Sequence, residues 1–519
     1  MTASRRRRLV AGALTLAAAL VASACSSGGG DGEAAASDTL TMMVPLFQTA
    51  PDPKGEVHQA VEKLVGKKLQ ITWVPNAEYN DKTNVMLASN SIPDVVVIQD
   101  NKSPSFVQAA KAGAFWDLTD KLDKYPNLKP KSQQAWVNSK TDGRNYGIYR
   151  VRPLLRSAVI LRKDWLEKLG LEPPKTTDDL YEVAKAFTEK DPDGNGKKDT
   201  YGLILPKWPA PVFSASSPYN AIDVWFGTPN NFGMRDGKLV PEFDVPEFWE
   251  AQRYIKRFID EGLVNPDWAT LDTGKWNDPF LQGKGGIIID VNVRAGELFD
   301  KFREIDPETY HEKVAMVGNL SRPDGKKFSL PFTGYNGIVA ISKQRIQTEE
   351  QLDDVLQVLD KLASKEGSIL LNNGIEGRNF KVEDGYAVKI NEDDPAVKVI
   401  NNDVLFGFIQ LGTTSSVGIA GDAYEWMRPS EAEREWLKQR DELMELDLQT
   451  AVHDPTLPVI SQTAVEKGAT INPIPTDARI KYLAGDLTED QFKAEIKRWY
   501  DSGGTQIIAE LQEGISKLG

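Results

Sequence analysis

Three short apolar runs, LTMMV (40–44), LQITWV (69–74) and DVVVI (94–98), decide the fold of this chain. Between the first two, Val57, Ala60, Val61 and Leu64 recur at the three- and four-residue spacing of a helix, and residues 79–88 carry a second helical pattern before the third run. Strand and helix periodicities therefore alternate across short connections, which predicts an α/β lobe with a mostly parallel sheet. In such a sheet ligands gather beyond the carboxyl ends of the strands. Gln99, Asp100 and Asn101 follow the third run directly, so they belong near any cleft. The alternative for Asp100 and Asn101 is a turn or cap.

Further along, residues 177–190 place Leu180, Val183, Ala184 and Phe187 on one helical face behind Pro173 and Pro174. The capping-box pair Thr348 and Gln351 opens another helix, whose Leu352, Val355, Leu356 and Leu359 fall at i, i+3, i+4 and i+7. Strand-like stretches occupy residues 285–290 and 337–342. The C-terminal third reads as amphipathic helix and ends in residues 505–518. No repeat with a period of 20 to 50 residues is present, and the small polar residues 26–37 make a spacer.

The N-terminus has the order of an export signal: Arg5 to Arg8, an apolar stretch over 9–22, then Ser23, Ala24 and Cys25, the only cysteine. Cys25 reads as a lipobox cysteine, which becomes the acylated N-terminus after removal of residues 1–24. Position −3 is Ala22, where bacterial lipoproteins more often carry Leu, and the alternative is an ordinary secretory signal cut after Ala22-Ser23-Ala24. The apolar stretch is shorter than the ~20 residues a spanning helix needs. The body is expected to work outside the cytoplasm, tethered by lipid and otherwise soluble.

Composition narrows the function. Loss of residues 1–24 leaves 495 residues and removes four arginines, so the formal net charge goes from −13 to −17. Such a surface repels phosphate backbones and excludes nucleic acid as a natural partner. The length predicts two lobes. With Cys25 at the anchor, no thiol remains for a disulfide, a Cys–His nucleophile or a thiolate metal site. His58, His311 and His453 lie far apart and show no ligand spacing.

The sharpest local motif is DPDGNGKKDTYG (191–202). Asp191, Asp193, Asn195 and Asp199 supply oxygens at loop positions 1, 3, 5 and 9, Lys197 supplies its carbonyl at position 7, and Gly196 allows the sharp turn at position 6. This pattern predicts a structural Ca²⁺. Position 12 departs from a full EF-hand, since Gly202 stands where a bidentate Glu would. An ordinary Asp/Gly turn is the alternative. No G-x-S-x-G, H-E-x-x-H or P-loop occurs, and carboxylate pairs such as Asp178 with Asp179 and Asp353 with Asp354 read as solvated helix faces. Among the twelve tryptophans, Trp165, Trp249, Trp436 and Trp499 read as core. Trp208, Trp225, Trp268 and Trp276 lie in Pro/Gly/Asn-rich stretches and are candidates for a sugar-stacking cleft.

LRKDWLEKLG (161–170), PPKTTDDL (173–180) and the 191–202 loop, with SIPDV (91–95), GIEGR (374–378) and SGGTQIIAE (502–510) in the same order, resemble the extracellular solute-binding proteins, family 1, of ABC importers. The similarity is nearest to the long lipoprotein branch that includes alginate-oligosaccharide-binding proteins. The resemblance implies a two-lobed periplasmic-binding-protein-like fold of type II, with the ligand closed between the lobes by a hinge. Its expected boundaries are residues 38–155 with 333–400 for the N-terminal lobe, and 156–332 with 401–519 for the C-terminal lobe. It implies a lipid-anchored, monomeric binding protein, not an enzyme, that captures a carbohydrate and delivers it to a membrane permease. Peptide or another polar solute is the alternative cargo, and a surface-anchored polysaccharide-degrading enzyme the alternative class. The resemblance also implies Ca²⁺ on the 191–199 loop. The cleft residues expected from strand ends and inter-lobe loops are Asp100, Asn101, Trp225, Trp276, Asp290, Asn292, Tyr335 and Asn336.

Overall fold

The computed structural model describes residues 38–208, 217–413 and 422–518. Cys25 and the expected signal and spacer lie outside the described residues.

The first sheet has five strands, in the order Lys68–Pro75, Thr39–Leu46, Val95–Ile98, Tyr335–Ile341 and Ile148–Val151. Its first three strands are parallel, with Thr39 opposite Lys68 and Met42 opposite Val95, while Tyr335–Ile341 runs antiparallel to both its neighbours. The helix Glu56–Val65 buries Val57, Val61 and Val65, one stripe at a four-residue spacing, and Glu349–Ala363 buries Leu352, Val355, Leu356 and Leu359. Both stripes join the core around Val95, Val96 and Val97. The box at Thr348 is formed: its side chain accepts from the Gln351 amide, and the Gln351 side chain accepts from the Thr348 amide.

The second sheet has the order Val314–Val317, Ser157–Arg162, Gly285–Val291 and Tyr201–Leu203. It is covered on both faces, and the two-residue period sorts its side chains between two cores. Val159, Leu161, Ile287 and Ile289 pack with Trp165, Phe187 and Trp225, whereas Ala158, Ile160 and Ile288 pack with Trp276, Phe280 and Trp436. The helix Thr177–Glu189 lies hard against this sheet. A Cβ on Gly202 would stand 2.5 Å from the Ala184 Cα, and one on Gly286 would stand 2.3 Å from a Phe187 ring carbon.

The chain crosses between the two bodies at residues 152–156 and 331–334, and a third time after Met427, since Tyr424 and Met427 still bond to Asn373 and Ala387 of the first body while Arg428 pairs with Asp300 of the second. The expected boundary at residue 400 is corrected here, because it falls inside the helix Pro395–Phe406. Val404, Phe408 and Leu411 belong to the first core, and the Phe408 ring meets His58 and Trp73 edge-on at 6.0 and 5.7 Å.

The C-terminal motif also has a physical explanation. Gly503 has φ 142°, and a Cβ on Gly504 would collide with the Trp499 indole, so the turn between Glu489–Trp499 and Thr505–Leu518 admits the two glycines and little else. Glu510, at the end of that motif, accepts hydrogen bonds from the Ser461 and Thr463 hydroxyls and from the Thr463 amide. It thereby caps the helix Gln462–Ile471 with a carboxylate, which favours the positive end of the helix dipole.

Candidate functional site

Strand direction places the site. In the first sheet the parallel strands end at Leu46, Pro75 and Ile98, Ile148–Val151 ends on the same edge, and the antiparallel strand begins there at Tyr335. In the second sheet Gly285–Val291 and Tyr201–Leu203 end where Ser157–Arg162 begins, because Ser157 pairs with Val291. The crossings 152–156 and 331–334 run from one of these edges to the other. The same two connections therefore join the two carboxyl edges, and open sheets of this kind bind ligands outside their carboxyl edges.

On the first edge Phe47 is exposed beyond Leu46, and the Gln99 side chain donates to Asn76 Oδ1 at 2.8 Å. Asp100 is exposed. Asn101 is buried: its Nδ2 donates to the Ser139 carbonyl at 2.7 Å, and its Oδ1 accepts from the Tyr335 hydroxyl at 3.0 Å. A bulge at Gly337, where a Cβ would stand 2.5 Å from the Ile98 carbonyl oxygen, breaks the register between Tyr335 and Ile338. It turns Tyr335 toward Asn101 and leaves the Asn336 side chain exposed.

Reading by motif did not single out three arginines here, Arg150 in the strand Ile148–Val151 and Arg152 and Arg156 on the crossing. Arg150 is buried; it donates to Gln410 Oε1 at 2.7 Å and to the carbonyls of Asn336 and Gly412, and so ties the strand ends to residues 410–412. Burial pushes its guanidinium down to about 10. Arg152 is pushed down to about 9 by burial, assisted by repulsion from Arg150 and Arg156. Arg156 lies over the Phe332 ring at 4.6 Å, and its Nε is buried with no hydrogen-bond partner among the described residues.

On the second edge, Asp290 is held by Arg294, which also donates to Asn277 Oδ1 at 2.7 Å and lies 4.6 Å over the Trp276 ring. Burial raises the Asp290 carboxyl, and the Arg294 charge opposes that rise. Asn292 is buried next to it, with its amide donating to the Arg156 carbonyl at 2.6 Å.

Two of the expected cleft residues are core residues, a correction to the sequence reading. Trp225 is 0 % exposed at the end of the helix Pro218–Trp225, and its indole N–H donates to Asn319 Oδ1 at 2.8 Å. Trp276 is 1 % exposed and donates to the Ile204 carbonyl at 3.0 Å. Trp268 is buried as well. Trp208 is half-buried and edge-on to Trp276 at 5.9 Å. The Pro, Gly and Asn around these tryptophans cap short helices: Ser217 accepts from the Asn220 amide, with Pro218 in the first turn.

The acidic loop joins the helix Thr177–Glu189 to the strand Tyr201–Leu203. Asp191, Gly194 and Gly196 have φ of 51°, 75° and 76°, and this curls the loop. The Asp191 carboxylate accepts from the amides of Asn195 and Gly196 at 3.1 and 3.0 Å, and the Lys197 amide donates to Asn195 Oδ1 at 2.8 Å. Asn195 Nδ2 stands between Asp193 and Asp199, at 2.7 and 3.0 Å. Lys284 donates to the other Asp199 oxygen at 2.7 Å and holds that carboxyl below its ordinary value. Among the described residues no three acidic, His or Cys side chains converge as a finished cage. The donor set nevertheless fits a hard divalent cation: rotating the Asn195 amide replaces its nitrogen by an oxygen at the point between two carboxylates. The packing of Gly202 on Ala184 explains why position 12 carries no Glu.

Residues 50–368 match the family model described as bacterial extracellular solute-binding protein. The chain is 38 % identical to lipoprotein LipO of Bacillus subtilis (strain 168), over 92 % of this chain and 93 % of that one. It is 34 % identical to the polygalacturonan/rhamnogalacturonan-binding protein YtcQ of the same organism, over 92 % and 91 %. Among solved structures, an HMO-binding, ABC-transporter-associated solute-binding protein from Bifidobacterium longum infantis superposes with a TM-score of 0.67 at 19 % identity, over 92 % of this chain and 98 % of that one.

Proposed function

This chain belongs to the bacterial extracellular solute-binding proteins and has their two-lobed fold, and from that premise we propose that it captures an oligosaccharide by closing its lobes and hands the sugar to an ABC importer permease. One observation carries the reading: Phe47, Gln99, Asp100 and Tyr335 lie at the carboxyl edge of the first sheet and Asp290 near that of the second, and the segments 152–156 and 331–334 connect the two edges. Aromatic faces beside planar polar groups are what pyranose rings and their hydroxyls require. Two relatives' names, one a polygalacturonan/rhamnogalacturonan-binding protein and one HMO-binding, support carbohydrate as cargo. The Cys25 lipid anchor is part of the proposal, supported by the order of the N-terminal segments and by a relative named as a lipoprotein.

The reaction is binding alone: closure needs two states a few kcal/mol apart, which the sugar shifts and the permease reverses. A saturating oligosaccharide at 100 times its Kd is expected to add about 2.7 kcal/mol to stability and to shrink the radius of gyration in solution scattering. Release of reducing sugar from any of the oligosaccharides by the purified protein would replace this reading with the hydrolase one.

Calcium on the 191–199 loop is proposed as a structural ion, held by Asp191, Asp193, Asn195, the Lys197 carbonyl and Asp199. It would screen carboxylates that now rely on Asn195 and Lys284. Chelation is expected to lower the melting temperature by roughly 5–10 °C. The double substitution Asp191→Ala with Asp193→Ala should produce the same drop and remove the dependence on calcium. Identical melting curves with calcium and with chelator would exclude the ion.

A further inference from the structure

We propose that the amino edge of the first sheet is a docking surface for anionic phospholipid headgroups, and that it sets the tethered protein down with the carboxyl edge of that sheet turned away from the membrane. The inference rests on the reading of Cys25 as the lipidated residue and adds which face of the body meets the lipid.

The strands Thr39–Leu46 and Lys68–Pro75 start side by side, with Thr39 opposite Lys68 and the Lys68 amide donating to the Asp38 carbonyl at 3.0 Å. The segment that leads back to Cys25 therefore joins the body at a point fixed to the amino edge of the sheet. A groove beside that point is lined by Asp38, Lys54, Glu62, Lys63, Lys67 and Lys68. Lys54, Lys63 and Lys68 are exposed. Glu62 is spent on the Leu69 amide at 3.0 Å and the Lys68 ammonium at 2.7 Å, and Asp354 of the helix Glu349–Ala363 takes Lys67 at 3.6 Å. Among the described residues no carboxylate pairs with Lys54 or Lys63.

Local structure does not account for all of these cations. Lys63 stands in the last turn of the helix Glu56–Val65, where a positive charge complements the dipole. Lys54 precedes Gly55, the cap at the opposite end of the same helix, where the dipole disfavours a cation. The mature chain is strongly acidic, yet the face around the tether carries four lysines against two carboxylates. Over an anionic bilayer the contacting face decides the sign of the interaction, because charges more than ~8 Å from the lipid are largely screened at physiological salt. Each exposed lysine within that layer raises affinity about fivefold. Residues 25–37 span at most ~45 Å, so the tether holds the patch near the surface and a modest attraction suffices. The eight-residue strand Thr39–Leu46 then lifts the carboxyl edge, with Phe47 beyond it, by ~25 Å toward the medium.

The test uses the full mature chain with a synthetic diacyl lipid joined to the Cys25 thiol, bound to vesicles of phosphatidylcholine alone or of phosphatidylcholine and phosphatidylglycerol in equal parts. Lysines are acylated by a brief pulse of an amine-reactive ester and read by mass spectrometry. Lys54, Lys63 and Lys68 are expected to react about fivefold more slowly on the anionic vesicles, and to recover in about 1 M salt. Lys497 and Lys517, exposed on the second body, should react equally on both. In the double variant Lys54→Gln with Lys63→Gln, Lys68 should regain its reactivity on anionic vesicles, whereas Lys497→Gln with Lys517→Gln, the same change in net charge, should leave Lys68 protected. Equal reactivity of Lys54, Lys63 and Lys68 on the two vesicles overturns the proposal, as does an equal effect of the two double variants. Protection on both vesicles alike means that Asp31 and Glu33 of the chain itself cover the lysines, and also overturns it. The mass of the N-terminal peptide from the protein expressed with its own leader tests the anchor separately. A Cys25 without lipid ends the anchor reading and this proposal together, whereas a lipidated Cys25 with unprotected lysines removes the docking face alone.

Discussion

Replacing Trp225 with alanine is expected to destabilise the second body by about 3–5 kcal/mol and to leave sugar affinity of the folded protein unchanged. The side chain is completely enclosed, packed with Val159, Ile287 and Ile289 of the second sheet. Its removal leaves a cavity that backbone on several sides cannot collapse to fill. A second loss adds to the first. The indole N–H satisfies Asn319 Oδ1, and Asn319 in turn donates to Asp447 at 2.7 Å and accepts from the Leu330 amide at 3.2 Å. Trp225 thus anchors the segment that runs into the crossing at 331–334. The melting temperature should fall by roughly 10 °C or more. Retained stability together with a lost sugar signal would return Trp225 to the cleft and contradict its burial.

That outcome bears on what the sequence makes legible. The alternation of strands and helices was readable because its causes are local. A continuous apolar run in residues 94–98, a period near 3.6 in residues 57–64 and a capping box at Thr348 each act within a few residues of chain. Lobe boundaries and cleft residues depend on what arrives from elsewhere. Phe408 belongs to the first lobe because His58 and Trp73 meet it there, some 340 residues back along the chain. Tryptophans 225 and 276 stand among residue types that open loops and also cap short helices, and only packing decides between the two. The arginines of the crossing are invisible for the opposite reason. Arg152 and Arg156 look like ordinary surface cations until the two sheet edges close around them. Asp100 follows its strand, so strand direction sends it to the carboxyl edge, whereas Tyr335 begins its strand and reaches that edge only because the strand runs antiparallel to its neighbours.

Within the second body the largest single-charge effect is expected at Asp223. Arg479 donates to both Asp223 oxygens, at 2.8 and 3.0 Å, Gln252 Nε2 donates to the same carboxylate at 2.9 Å, and neither charged side chain is more than 1 % exposed. The pair joins the helix Pro218–Trp225 to the helix Pro473–Ala484, which lie 256 residues apart in the chain. Asp223→Ala leaves a guanidinium enclosed by Tyr219 and Phe248 with its counter-charge gone, and should cost about 3–5 kcal/mol. The pair itself is worth much less than this figure, because both ions were already stripped of water. The double variant Asp223→Ala with Arg479→Met removes the stranded charge and should therefore be more stable than Asp223→Ala alone, a reversal that urea unfolding midpoints of the two variants and the wild type would reveal. If the double variant is instead the least stable, the two sites act through lost packing, and the ion pair is not what fastens the C-terminal helices to the second sheet.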